Sequence, residues 1–496
     1  MAKSSPQAQI LLNAGLPPHQ VLVPGDPNFA SRQASYWSRS VQALQPGCIV
    51  QPDSTQDVVT ALRGLTAANI PFAVRGGGHT GWAGANNIGP NGVTIDLHLL
   101  DQVQVVQETK QDPTVNLGPG NRWARVYTEL AKDGLAVAGG REGNVGVAGL
   151  LLGGGMAFYT ARYGLACDNV VEYEVVLADG RVVYPREGEK EHADLFRALK
   201  GGGINFGIVT NFRMRTLQAS PIWGGMTVHP KENTPDAIKA LVEFTDGVEK
   251  EPEFKEVVVA GALIQVAGVE EAPAYKSWLK MPTTASTCKL TTVPQLAVDY
   301  TQAQGYYNVW FTATFKNDPR IVSKAAELHE DLVAHLKALI PDGDFVTQCL
   351  FQPFPTLFGQ LSKSKSTTGN ILGIDKQSHS ALLWLAVAQV RTPELESIAH
   401  GLVGKWVEAV KSFAASLHDG NGNLPWMYLN YADGTQDPLP SYGPENLRFM
   451  RAVARKYDPN GVFQTLCEGG FKLARAGRGT EQVGGDIGIV SRESKI

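Results

Sequence analysis

The chain has 496 residues, 43% of them hydrophobic and 19% charged, enough to bury large cores and, by length, to form two or three domains rather than one. Its 44 basic and 48 acidic side chains leave a formal net charge of −4. That balance argues against a nucleic-acid or anionic-membrane binder and for a small-molecule partner. The five cysteines, Cys48, Cys167, Cys288, Cys349 and Cys467, are too scattered for a Cys-x-x-Cys pair or a metal knuckle, so free thiols in a reducing compartment are expected. The segment from Met1 to Gln20 has no apolar core of signal-peptide length, which points to an intracellular, cytoplasmic protein.

In chain order, Ser54 or Thr55 is the N-cap of a helix carrying Val58, Val59, Leu62 and Leu65 at helical spacing. Residues 70–74 then form a short apolar strand that runs into Arg75-Gly76-Gly77-Gly78-His79, where three glycines favour neither helix nor strand. Further strands are expected at 93–97, 102–107 and 115–117, and a helix at 123–133. Residues 143–161 carry no charge, long enough to raise a membrane span. Six of them are glycine, so loop and turn backbone packed against something else is the better reading.

A β-prone run at 170–177 is closed by Ala178-Asp179-Gly180 and answered by a returning strand at 181–184, a hairpin signal. A short helix at 192–199 precedes Lys200-Gly201-Gly202-Gly203. Composition shifts at 217–221, and from there to about Trp426 amphipathic helices alternate with strands such as 257–266 and 381–390. A helix at 447–456 stops at Asp458-Pro459-Asn460-Gly461, and the last residues read as a loose tail.

Three glycine-rich segments stand out. The first, Arg75 to Thr80, has consecutive unobstructed N–H groups, which suit either a pyrophosphate nest or an ordinary flexible turn. The second runs from Ala138-Gly139-Gly140 through Val145-Gly146-Val147-Ala148-Gly149 to Gly153-Gly154-Gly155. The third is Lys200-Gly201-Gly202-Gly203 with Ile204 to Val209 behind it. One large ligand enclosed by all three explains them more simply than three independent turns.

RGGGHT, then VGVAG and GGG, then RYGLACDNVVEYEVVLADG and ADLFRALKGGGINFGIVTNF, resemble in this order the PCMH-type FAD-binding domain of the vanillyl-alcohol oxidase superfamily, in its berberine bridge enzyme-like branch. Met427-Tyr428-Leu429-Asn430-Tyr431, followed by RKYDPNGVF, is similar to that branch's terminal signature. The resemblance covers residues 36–216 and 426–473.

It implies FAD bound covalently through His79. The implied cofactor-binding residues are Arg75, Gly76, Gly77, Gly78, His79 and Thr80 from the first segment, and Gly139, Val145, Gly146, Gly149 and Gly154 from the second. Gly207, Ile208, Val209 and Asn430 complete them. Many members add a second bond from a cysteine at the position that is Glu142 here, with Arg141 beside it, so a singly attached flavin is expected. Val145 falls where relatives control the approach of oxygen, or is a merely packed valine. Tyr431 falls on a catalytic tyrosine, or is a half-buried strand aromatic. A phenol needs a positive neighbour or a preorganised hydrogen bond to accept a proton, and the sequence does not identify one.

No His-Glu-x-x-His, nucleophile elbow or Walker loop is present. The expected architecture is α+β: an FAD-binding domain at 36–216, a substrate-binding domain on an antiparallel sheet at 217–426, a returning segment at 427–475 and a loose tail at 476–496. The implied function is an FAD-dependent oxidase of a small organic molecule, with hydride transfer to flavin N5 and reoxidation by O2. The substrate would be a secondary metabolite undergoing oxidation or oxidative cyclisation. The alternatives are a sugar or hydroxy-acid oxidase, or a redox-neutral flavin-containing cyclase or binding protein.

Overall fold

The computed structural model describes residues 5–107, 113–250, 257–259, 262–365, 368–417 and 420–478. Helix Thr55–Ala67 begins where Ser54 caps it, its side chain accepting from the Asp57 amide at 3.2 Å. The apolar stripe Val58, Val59, Leu62 and Leu65 is fully buried, and it packs over a small sheet in the spatial order Val21–Leu22, Cys48–Val50, Val93–Asp96, Phe72–Arg75. The last three strands are parallel. Strand Phe72–Arg75 delivers the first glycine turn from the end of this sheet.

A second sheet is antiparallel, in the order Val103–Val106, Thr114–Leu117, Ile208–Arg215, Val170–Val176, Val182–Val183. Against it lies helix Trp123–Ala131, whose first-turn amides are satisfied by the second glycine segment: the Trp123 amide donates to Val145 O at 3.1 Å and that of Ala124 to Gly143 O at 2.9 Å. The uncharged run does contain helix. Val147–Leu152 is helical because Val147, Ala148, Leu151 and Leu152 all face the interior, while Gly153, Gly154 and Gly155 lie beyond it.

Among the described residues, the central part of the chain carries two four-stranded antiparallel sheets and a two-stranded pair, Thr227–Val228 with Ala285–Ser286. Strand Ala381–Val390, buried at every position, pairs with Tyr307–Lys316 on one side and Val346–Phe354 on the other. A strand buried on both faces reads as a continuous apolar run, which is why its limits were legible. Helices Pro319–Leu339 and Pro393–Ala415 cover it. The run expected as one strand at 257–266 is instead two, Val257–Val259 and Leu263–Gln265, paired antiparallel.

The chain then returns. Helix Pro444–Tyr457 starts three residues earlier than its apolar pattern, because Pro444 takes the first-turn position where its missing N–H costs nothing. It packs on helix Ala193–Leu199, with Lys456 and Tyr457 both donating to the Asp194 carboxylate at 2.7 and 2.8 Å. Beyond it, the Phe72 amide donates to Leu466 O at 2.8 Å. Residues 476–478 are not loose: Ala476 is buried and its carbonyl accepts from Arg451 at 2.8 Å. The rest of the expected tail lies outside the described residues.

Trp384 anchors the central sheet, fully buried, stacked on Phe351 and edge-on to Trp406 at 4.9 Å. Trp384→Ala is expected to cost about 3–5 kcal/mol, seen as an earlier thermal unfolding transition by circular dichroism.

Candidate active site

A cavity of about 800 Å3 opens where the glycine segments meet the central sheet. The first and second segments are pressed together: a Cβ on Gly146 would stand 2.5 Å from the Gly77 nitrogen, and one on Gly77 2.7 Å from the Gly146 nitrogen. No side chain fits between them. Gly78, at φ +70°, turns the chain so that His79 faces the cavity.

The His79 side chain is 11% exposed and stacks on Trp37 at 4.4 Å with 8° between the rings. Burial, with the Arg122 guanidinium second, pulls its pKa down to about 3. The ring is therefore neutral near pH 7, with a free lone pair on one nitrogen. Its Nε2 is buried without a hydrogen bond, 3.5 Å from Glu142 Oε2. Arg122 donates to Gly77 O at 2.9 Å and so ties the turn from below.

Tyr431 lies on a single 3-10 turn, Leu429–Tyr431, rather than on a strand. Its hydroxyl oxygen accepts from Arg141 Nη2 at 2.9 Å and from Gln352 Nε2 at 3.3 Å, and the same Arg141 nitrogen donates to Gln352 Oε1 at 2.6 Å. The positive neighbour that a proton-accepting phenol requires is thus Arg141. Trp310 and Tyr428 hold the Tyr431 ring edge-on at 5.8 and 4.8 Å. Asn430 donates to Leu150 O at 3.1 Å and to the Tyr428 hydroxyl at 3.0 Å, which binds this turn to the second glycine segment.

The structure brings Gly76, Gly77, Gly78, His79, Thr80, Val145, Gly146, Gly149, Ile208, Val209, Asn430 and Tyr431 to the cavity wall. It does not bring Arg75, Gly139, Gly154 or Gly207 there. Arg75 is fully buried and turned away, donating to Arg32 O at 2.8 Å and Ser35 Oγ at 2.7 Å with its guanidinium over the Tyr36 ring. Gly139 is required by the Trp123 ring and by the Tyr127 hydroxyl, 2.7 Å from where its Cβ would be. Gly154 faces Leu372 and Gly207 faces Val175, at 2.8 and 2.5 Å by the same measure. These glycines serve the packing of the chain against itself.

Sequence reasoning missed the partners of Tyr431. Gln352 and Trp310 belong to central strands that carry no motif, and Arg141 was noticed only as a neighbour of Glu142. Cys349 also reaches the cavity, and burial pushes its thiol up to about 12, so it is held protonated and poorly nucleophilic. Among the described residues no cluster of His, Cys, Asp and Glu could hold a metal, and no helix is long and apolar enough to cross a membrane.

The family model described as FAD binding domain matches residues 46–184. The FAD-dependent monooxygenase drtC of Aspergillus calidoustus is 37% identical over 473 residues, covering 92% of this chain and 88% of that protein. The FAD-dependent monooxygenase sdcF of Emericella nidulans is 35% identical, covering 92% and 96%. The chain belongs to the same family of FAD-dependent enzymes as these relatives. In fold it is similar to Physcomitrella patens BBE-like 1, with a TM-score of 0.72 at 19% identity over 93% of this chain and 98% of that one. The xylooligosaccharide oxidase of Myceliophthora thermophila aligns equally well, with a TM-score of 0.72 at 20% identity over 94% and 99%. The protein is therefore an FAD-dependent oxidoreductase of small molecules.

The residues present fit that cofactor. At the cavity wall Gly149 has open space where a Cβ would stand and the Gly77–Gly146 contact brings two backbones together without side chains, and the buried Nε2 of His79 is a polar atom without a hydrogen bond beside them. Gly146→Ala forces a Cβ into the Gly77 backbone. Overpacking of about 1–3 kcal/mol should lower the amount of FAD incorporated per chain roughly tenfold, read as flavin absorbance per chain after desalting.

Proposed function

We propose that this oxidoreductase is an oxidase that tailors a secondary metabolite, by oxidation or oxidative cyclisation, with FAD attached only through His79. Bound FAD would supply the redox chemistry, hydride acceptance at N5 and return of the electrons to O2 as hydrogen peroxide. The chain's own contribution is binding, orientation and proton handling. The observation that carries the reading is the Tyr431 hydroxyl held by Arg141 and Gln352 at the wall of the cavity. A proton leaving the substrate oxygen or nitrogen can be taken by the Tyr431 oxygen in its phenolate form, whose negative charge the Arg141 guanidinium compensates.

Trp310, Leu350 and Ile264 give the cavity apolar walls, which suit an aromatic or polycyclic substrate and exclude water from the transfer. His79, Thr80 and the glycine segments are read as the cofactor's contacts, with Val145 on the path of oxygen. Residues 36–216 with 427–475 are read as the FAD-binding domain and 217–426 as the substrate-binding domain. Single attachment follows from Glu142 standing in place of a cysteine and from the protonated state of the Cys349 thiol.

His79→Ala is expected to release all flavin on acid precipitation, whereas the wild-type chain keeps it on the peptide containing His79. Mass spectrometry of the precipitate reads both. Tyr431→Phe should lower kcat by on the order of a hundredfold while leaving the amount of covalent flavin unchanged, measured by stopped-flow flavin reduction once a substrate is found. The names of the relatives carry a second reading, monooxygenation. Isotopically labelled dioxygen separates the two: the label goes to hydrogen peroxide in an oxidase and into the product in a monooxygenase.

A further inference from the structure

Glu142 is built into the cavity wall next to the histidine. Its carboxylate is 12% exposed and clamped from two directions, Oε2 accepting from the Val145 amide at 2.7 Å and Oε1 from the Gln302 amide at 3.1 Å. So held, Oε2 stands 3.5 Å from His79 Nε2, a gap that a movement of about half an ångström closes to a hydrogen bond. Trp37 stacks on the imidazole and fixes its plane. Arg122, whose charge reaches both groups, donates to Gly77 O at 2.9 Å.

We propose that Glu142 is the positioning residue for covalent attachment at His79: it accepts the proton carried on Nε2 and leaves Nδ1 with the lone pair that bonds the cofactor's methyl carbon. The inference rests on the histidyl attachment proposed above. In the balanced change one methyl C–H bond and the imidazole N–H bond break, and the Nδ1–C bond forms. The two electrons and two protons released reduce dioxygen, by way of the flavin ring, to hydrogen peroxide. The Nε2 proton is one of those two, and Glu142 takes it up and passes it on.

The need for a base follows from the site. A ring bonded at Nδ1 that kept its Nε2 proton would be a cation, and burial with Arg122 nearby disfavours a charged His79, holding it at about 3 before any bond forms. Burial also raises the Glu142 carboxyl above its ordinary value, which strengthens it as a proton acceptor. The glutamate thus takes the sequence position of a second anchor and serves the first.

The test uses the full-length chain produced under flavin limitation, as wild type, Glu142→Gln and Glu142→Asp, each mixed with FAD in air. Total bound FAD is read by absorbance after desalting, and the covalent share by acid precipitation and peptide mass spectrometry over time. We expect the Gln variant to bind FAD but to attach it at least ten times more slowly, and the Asp variant to recover part of the rate. Should the Gln variant fail to hold FAD, the Asp variant, which keeps a carboxylate, decides on the same two readouts: binding of FAD with no covalent attachment overturns the role. Attachment by the Gln variant at the wild-type rate, or a loss of binding with an unchanged covalent share, also overturns it. Release of all flavin by the wild type overturns the histidyl attachment itself.

Discussion

The contact between Gly77 and Gly146 holds the site together. Two backbone segments, one leaving the parallel sheet and one entering helix Val147–Leu152, touch where neither tolerates a Cβ. The second segment is in turn fixed by helix Trp123–Ala131, since the Val147 amide donates to Asn121 O at 3.0 Å and Trp123 returns a bond to Val145. The turn that carries His79 is therefore set against the loop that carries Glu142 and Val145, and the distance between imidazole and carboxylate follows from that backbone contact.

Electrostatics then act on a rigid frame. His79 is stacked, buried and overlooked by a guanidinium, so its neutral form is favoured and one of its two ring nitrogens keeps a free lone pair. The same burial that suppresses a charge on His79 pushes the Cys349 thiol in the opposite direction, away from its nucleophilic form. A single cause, loss of water, thus leaves one potential nucleophile in its reactive form and holds the other in its unreactive one.

The other half of the site is assembled across long chain separations. Tyr431 comes from the returning segment, Arg141 from the second glycine segment and Gln352 from a central strand, and their side chains meet in a closed set of hydrogen bonds. Asn430 and Tyr428 secure this turn to Leu150 and Met156, the Met156 amide donating to the Tyr428 hydroxyl at 2.8 Å. The phenol is held from both sides of the cleft, and a shift of the central sheet relative to the glycine segments would break its contacts.

Local chemistry was enough to determine the elements and the cavity-facing glycine turn: Ser54 as a cap, the apolar stripe of its helix, strand Ala381–Val390, and the turn that ends in His79. Each depends on residues a few positions apart, whose spacing is the period of the element itself. The order of the glycine motifs likewise carried the α+β architecture and the family. Tertiary structure alone decided which glycines face the cavity and which, like Gly139, Gly154 and Gly207, make room for Trp123, Leu372 and Val175, because a glycine's reason lies in whatever approaches it. It also turned Arg75 into a buried partner of Tyr36 and gave Tyr431 its guanidinium. Arg141 and Tyr431 are 290 positions apart, and no local pattern encodes a contact that only the packing of one layer on another creates.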